Sequence, residues 1–253
     1  MDEPSTAARI RAVLVGTQHP GNIGSAARAL KTMGLGRLSL VAPERFPHPE
    51  ALALAAGADD LLAAATVHAT LAEAVADCTL VLGCTARSRR VPLPEQGPRD
   101  AAEAILAEVD AGGEVALVFG RERTGLENDE LQLCHGAVHI PANPEYSSLN
   151  LAAAVQVLAW EVRMALLSRQ PAAAPEPRDP PASHAQLEGL FAQLGDTLDA
   201  IDFHKGRAPE SAMRKLRRLF LRSRLDAREV RLLRGVLADA QRMARLAGGD
   251  GGR

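Results

Sequence analysis

His139-Ile140-Pro141-Ala142-Asn143-Pro144-Glu145-Tyr146-Ser147-Ser148-Leu149-Asn150 joins a short β-branched run to a strongly apolar helix. Pro141 stops the run that begins at Val138, and a polar loop follows. Ser147 or Ser148 is then the natural N-cap of a helix reaching about Leu167. Leu149, Leu151, Ala152 to Ala154, Val155, Val157, Leu158 and Trp160 leave that helix almost no polar face. It must be covered on all sides, by its own domain and by a second subunit. Its first turn offers free backbone N–H groups beside Ser147, Ser148 and Asn150, where a polar ligand can be gripped. A buried core helix with a serine cap is the plain alternative.

Upstream of this stretch, apolar runs alternate with helical patterns. Strands are predicted at Arg11–Gly16, Arg37–Val41, Thr79–Gly83, Glu114–Gly120 and Ala137–Ile140. Helices are predicted near Ile23–Met33, Pro49–Ala56, Leu71–Val75, Asp100–Val109 and Asn128–Cys134. Val13-Leu14-Val15 and Val115-Ala116-Leu117-Val118-Phe119 are continuous rather than alternating, the mark of strands buried on both faces of a parallel sheet. Ligands in such α/β domains sit at the carboxyl ends of the strands. Here those ends read Gly16-Thr17-Gln18, Gly83-Cys84-Thr85, Gly120-Arg121-Glu122 and Pro141-Ala142-Asn143.

Downstream, Pro171, Pro175, Pro177, Pro180 and Pro181 make residues 171–182 an extended, semi-rigid linker. It divides a domain at 1–170 from a helical extension at 183–253. Helices are predicted there at Ser183–Ile201, Pro209–Arg224 and Asp226–Ala247, the last opened by an Asp226/Glu229 capping box. The terminal Gly-Gly-Asp-Gly-Gly-Arg is predicted to be disordered.

The formal net charge of -2 conceals an asymmetry. Residues 183–253 carry 14 Lys/Arg against 9 Asp/Glu, and residues 205–234 carry 11 against 3. Such a block fits a polyanion-facing surface better than the global figure suggests. On the helix Pro209–Arg224, Arg214, Arg217, Arg218 and Arg222 are expected on one face, and Met213, Leu216, Leu219 and Phe220 on the other. One face would dock and the other meet phosphates, a solvated basic face being the plain alternative.

The chain of 253 residues is 47% hydrophobic and only 3% aromatic, so its core is built of Ala, Leu and Val. Three cysteines without CxxC spacing suggest reduced thiols rather than a disulfide framework. Met-Asp-Glu-Pro-Ser is no signal peptide, and no apolar run reaches the roughly 18 residues that cross a bilayer. A cytoplasmic protein without a membrane partner is expected. Neither GxGxxG nor GxxxxGK[ST] occurs, and no GxSxG elbow supports a serine triad. His135 and His139 near Cys134 lack zinc-ligand spacing, so no metal is expected.

Two blocks carry more. Pro20-Gly21-Asn22-Ile23-Gly24-Ser25-Ala26-Ala27-Arg28 leads a glycine-bearing loop into a helix on which Arg28 emerges away from the sheet-facing Ile23, Ala26, Ala27 and Leu30. Phe119-Gly120-Arg121-Glu122-Arg123-Thr124-Gly125-Leu126 packs charge just beyond a buried strand end, where turn residues alone would suffice.

In order along the chain, NIGSAARALKTMG, LVFGRERTGLEN and IPANPEYSSLNLAAAVQ resemble the three signature motifs of the SpoU group of SPOUT methyltransferases. The resemblance spans about the first 170 residues. The Pro-Glu-Tyr-Ser-Ser-Leu-Asn block, Ala86-Arg87-Ser88-Arg89 and the basic tail are similar to one branch, the bacterial tRNA ribose 2′-O-methyltransferases that act on cytidine or uridine at position 32 of the anticodon loop.

The resemblance implies an α/β, SPOUT-type parallel-sheet domain with a deep trefoil knot, S-adenosylmethionine bound inside the knot, tRNA as substrate, and a homodimer with sites at the subunit interface. Composition and periodicity do not yield the knot, since chains as a rule avoid threading. By position, the resemblance implies a cofactor pocket at Thr85, Ala86, Arg87, Gly120, Ile140, Ser147, Ser148 and Leu149, and catalysis by Arg28 and Ser148 with Asn22, Glu122 and Asn150 in support. Gly83-Cys84-Thr85 departs from the Gly-Thr-Ser or Gly-Thr-Thr of the branch. An arginine is a poor proton acceptor, so Arg28 is expected to clamp a phosphate, Ser148 to orient the ribose hydroxyl, and Glu122 to hold Arg28 or Asn22. A ribose methyltransferase for rRNA or another tRNA position, and a non-catalytic RNA-binding protein on the same fold, are the alternatives.

Overall fold

The computed structural model describes residues 6–85, 93–169, 180–206 and 208–249. The chain folds as two compact units, Met1–Glu176 and Pro177–Arg253. Most of the segment expected as a linker lies outside the described residues, as does the Gly-rich end.

After a 3-10 turn at Thr6–Arg9, the first unit runs β1 (Ile10–Val15), α1 (Pro20–Thr32), β2 (Arg37–Val41), α2 (Pro49–Ala55), α3 (Asp59–Ala63), β3 (Thr66–His68), α4 (Leu71–Ala74), β4 (Leu80–Cys84), β5 (Glu95–Gln96), α5 (Pro98–Asp110), β6 (Val115–Phe119), α6 (Asn128–Gln132), β7 (Gly136–Val138) and α7 (Leu151–Ser168). The seven strands form one sheet in the order β3-β2-β1-β6-β4-β7-β5. Every pairing in it is parallel. The continuous apolar runs lie at the centre: β1 and β6 are buried at every position. Leu14, Leu82, Leu117 and their neighbours pack under α1, α5 and α7, and Val13, Val81 and Val118 pack on the other face with Leu71, Leu126 and Leu131.

Each predicted strand is present, with shifts of one or two residues at its ends. Residue patterning does not disclose α3, β3 or β5. Thr66 and Val67 are exposed on an edge strand, and β5 is only Glu95 and Gln96, so neither segment carries a run of buried residues.

β7 lies between β4 and β5, the two strands joined by residues 85–94. A strand late in the chain thus enters between two earlier ones. The knot is an expectation of the family resemblance, and residues 86–92 of that connection lie outside the described residues.

α7 differs from the sequence expectation in three respects. Its N-cap is Asn150, whose Oδ1 accepts from Ala152 N (2.9 Å) and Ala153 N (3.4 Å), and not Ser147 or Ser148. The serines fall in irregular backbone that has not yet turned helical. Within the chain the helix is covered on one side only. Leu151, Val155, Leu158, Ala159 and Val162 are buried against α1 and α5, each large side chain contributing about 1.5–3 kcal/mol. Trp160 is 48% and Leu167 62% exposed. Finally, over its 18 residues it is long and apolar enough to cross a membrane by length and composition, contrary to the expectation that no run reaches that length. Its buried positions pack on α1 and α5 within the first unit.

The second unit contains α8 (His184–Ala200), α9 (Pro209–Ser223) and α10 (Ala227–Gly249). Their core is Leu187, Leu190, Phe191, Leu221 and Val230. Ser183 with Gln186 boxes the start of α8. Asp226 and Glu229 exchange the two hydrogen bonds expected of a capping box at the start of α10.

Candidate functional site

A cleft of about 360 Å³ opens at the carboxyl ends of β4, β6 and β7, where a parallel sheet presents its ligand sites. Phe119, Leu126, Leu151 and Ala154 give it an apolar wall. Thr85, Gly120, Ile140, Ser147, Ser148 and Leu149 line it as well, so six of the eight residues expected at a cofactor pocket converge. Ala86 and Arg87 lie outside the described residues, together with Ser88 and Arg89. The ends of β4 and β7 are clasped: Thr85 N donates to Val138 O at 3.0 Å, and His139 Nδ1 lies 3.2 Å from Thr85 O. Cys84 lines the cleft with its thiol pushed up to about 12 by burial, so it stays neutral.

The β6–α6 turn forms another wall. Gly125 N donates to Arg121 O (2.9 Å) and Arg121 N to Gly125 O (3.3 Å), closing a tight loop over Gly120. A Cβ on Gly120 would stand 2.1 Å from the Gly125 carbonyl carbon, so only glycine permits this closure. Arg121 Nη1 is held by both oxygens of Glu130 at 3.0 and 3.1 Å, and its stem fills the space beside Gly16, which has φ +57°.

Between these walls the expected catalytic group is partly assembled. Glu122 Oε1 accepts from His19 N (3.1 Å) and Asn22 Nδ2 (2.9 Å), and Oε2 accepts from Gln18 N (3.0 Å). Asn22 Oδ1 in turn accepts from Asn150 Nδ2 at 3.0 Å. Burial alone would raise the Glu122 carboxyl, but these three donors outweigh it and hold the group below the ordinary glutamate value. Of the two partners expected for Glu122, the structure selects Asn22. Arg28 stands exposed further along α1, on the polar strip that also carries Asn22 and Ser25, and is not among the residues lining the cleft. Ser148 is exposed and lines the cleft.

The backbone donors Gln18 and His19 escape sequence reasoning, since nothing in their side chains announces an N–H role. Arg123 also escapes it, although it lies in a block singled out for its charge; it is exposed and lines the cleft. Among the described residues no group of three or more His, Cys, Asp or Glu side chains is placed to hold a metal ion.

In the second unit, Arg214 and Arg222 are exposed. Arg217 is placed differently: it forms a two-pronged ion pair with Glu188 and stacks 4.6 Å above the centre of the Phe191 ring. Arg218 is half-buried, and burial lowers its pKa. Leu219, expected on the docking face, is 46% exposed. The two faces of α9 are therefore less segregated than the residue spacing suggests, because α8 draws in a cation through Glu188 and Phe191.

The parallel sheet, the cleft at its carboxyl end and the polar cluster beside it define an α/β domain built to seat a small organic ligand. Residues 9–160 match the SpoU rRNA Methylase family, and the chain belongs to it. Residues 185–249 match the C-terminal domain of the tRNA methyltransferase TrmJ. The chain is 51% identical over 245 residues to the tRNA (cytidine/uridine/adenosine-2′-O-)-methyltransferase TrmJ of Pseudomonas aeruginosa, covering 94% of this chain and 95% of that one. To the tRNA (cytidine/uridine-2′-O-)-methyltransferase TrmJ of Salmonella typhimurium it is 52% identical, over 92% of this chain and 96% of the relative. Among solved structures, TrmJ from Z. mobilis superposes with a TM-score of 0.78 at 38% identity, over 90% of this chain and 97% of that one.

Proposed function

We propose that this protein transfers a methyl group from S-adenosylmethionine to the 2′-hydroxyl of a tRNA ribose, at the pyrimidine in position 32 of the anticodon loop. The observation that carries the reading is the convergence of Glu122, Asn22 and Asn150, one from each signature block, at a cleft of ligand size. Relatives at half identity over nearly the whole chain bear names stating this chemistry.

The cleft suits the methyl donor by volume and by chemistry. Its roughly 360 Å³ falls within the range of about 300–1,000 Å³ usual for small-molecule sites. Phe119, Leu126 and Leu151 offer carbon surface to a purine, while Ser147, Ser148 and the strand-end backbone offer hydrogen bonds to a sugar and an amino-acid end. When bound, S-adenosylmethionine supplies a methyl group already activated on a sulfonium. Thr85, Gly120, Ile140, Ser147, Ser148 and Leu149 would hold it, with Ala86 and Arg87, which follow Thr85 in sequence. The protein's part is chiefly alignment. Glu122 already takes three N–H donors, which lowers its basicity, so it orders the β1–α1 loop rather than taking the substrate proton. Asn22 and Asn150 fix the two sides of the mouth relative to each other. Ser148 orients the ribose hydroxyl. Arg28, always charged, clamps the adjacent phosphate and stabilises negative charge developing on the ribose oxygen, whose proton passes to solvent water.

Two copies meet along α7. Its unburied apolar positions Ala153, Val157, Trp160, Met164 and Leu167 recur at alternating steps of four and three, the spacing of a helix-pairing seam. The dimer brings Arg28 of one copy toward the other's cleft. The helical extension at 183–253, joined through the linker at 171–182, holds tRNA through Arg214, Arg218 and Arg222. Arg217 shapes the unit that carries them. A cytoplasmic location follows from tRNA as the substrate.

Nucleoside mapping of tRNA from cells with and without the gene tests the whole. Loss of 2′-O-methylation at position 32 alone is expected; loss confined to rRNA or to position 34 would overturn it. Arg28→Ala is expected to abolish transfer while cofactor binding persists, and equal loss of both would remove Arg28 from its assigned role.

A further inference from the structure

Arg121 and Arg123 flank Glu122 in the β6–α6 turn, yet the fold treats them in opposite ways. Arg121 is consumed internally by Glu130, with Glu127 also 3.6 Å away. Arg123 is exposed, lines the cleft, and makes no ion pair or side-chain hydrogen bond among the described residues. The reciprocal Arg121–Gly125 bonds make the turn stiff, so Arg123 is carried on a fixed tip rather than a loose loop. Among the described residues its side chain has no partner, and it lines the mouth of the cleft.

We propose that Arg123 is a substrate-positioning residue that grips an RNA phosphate next to the methylated ribose. The proposal rests on the methyl-transfer reading above and extends it to the RNA side of the cleft. Charge selects the ligand. The methyl donor carries a sulfonium and an ammonium against one carboxylate, so a free guanidinium at the cleft repels it overall. An RNA strand crossing the mouth presents a phosphate for every nucleotide, and a guanidinium meets phosphate oxygens in two-pronged geometry. Arg123 thus adds a phosphate contact at the cleft mouth to the one assigned to Arg28.

The test uses full-length protein and unmodified tRNA, comparing wild type with Arg123→Ala and Arg123→Lys. For Arg123→Ala, the KM for tRNA is expected to rise about tenfold, as for loss of one charge-assisted hydrogen bond. Its kcat should stay within about twofold and its calorimetric Kd for S-adenosylmethionine should not change. The slope of log Kd for tRNA against log salt should fall by about 0.7–0.9, one phosphate contact. Arg123→Lys should recover part of the KM and all of the slope. Unchanged tRNA KM and slope in an active enzyme would overturn the proposal alone. Weaker cofactor binding with unaltered tRNA affinity would overturn it too, assigning Arg123 to the donor's carboxylate. A wild-type protein that methylates no tRNA would bring down the parent reading and this one together.

Discussion

Asn150 Nδ2 donates to Asn22 Oδ1 at 3.0 Å across 128 positions of sequence, while Asn150 Oδ1 caps α7. One side chain thus starts α7 with its oxygen and steadies the first turn of α1 with its nitrogen.

These two roles separate by substitution. Asn150→Asp keeps the capping oxygen and loses the donor, so its melting temperature should stay close to wild type while methyl transfer falls by at least about a hundredfold. Asn150→Ala loses the cap as well, at about 1 kcal/mol or a few degrees of Tm. Thermal melting beside a radiolabelled methyl-transfer assay distinguishes them. Equal activity in Asn150→Asp and wild type would remove the Asn22 contact from the mechanism.

Glu122 gives a pH signature. Its folded-state carboxyl lies below the ordinary value, with hydrogen bonds from Asn22, Gln18 and His19 outweighing burial. Its stabilising effect is therefore complete above the unfolded glutamate value of about 4.3 and is lost as pH falls through the lower folded value. Glu122→Gln should melt below wild type at pH 7, and the gap should close in that acid window. A gap that widens on acidification contradicts the assigned direction.

The exposed seam of α7 predicts a change of assembly. Trp160→Glu places a charge on a side chain 48% exposed in the single chain, so the monomer should fold normally. In the proposed dimer the same carboxylate would be buried, and sedimentation should show monomers with little transfer activity. An unaltered dimer would put the partner on another face.

Within α9 the arginines should divide. Arg214→Ala and Arg222→Ala should each weaken tRNA binding severalfold and reduce its salt dependence while leaving Tm unchanged. Arg217→Leu breaks the Glu188 pair and the Phe191 stack, so the cost should appear as a Tm drop of about 2–4 °C. A binding defect without a stability defect would return Arg217 to the phosphate surface.

How far these features are legible from the residues follows from what each depends on. Val13-Leu14-Val15 and Val115 to Phe119 declare a doubly covered parallel sheet because both alternate faces are apolar. Glu95-Gln96 cannot declare β5, since two polar residues become a strand only through pairing with Ala137 and Val138. The start of α7 is ambiguous because Ser147, Ser148 and Asn150 are all good caps, and the backbone path, not propensity, chooses among them. Glu122, Asn22 and Asn150 are readable as residue types through the family resemblance. Their order of contact is not, because it requires three strand ends to be placed side by side. Arg217 misleads for a similar reason: helix spacing ranks faces, but an acidic and aromatic neighbour on α8 decides which arginine turns inward.

Because β7 slots between β4 and β5, the sheet cannot be completed in the order in which the ribosome delivers it. Until residues 136–138 emerge, the strands that frame the cleft have a gap between them, and Asn150 is still inside the exit tunnel. If the cleft holds S-adenosylmethionine as proposed, affinity for it belongs to the nearly finished first unit and to no shorter nascent piece, and its acquisition marks the closing of that unit.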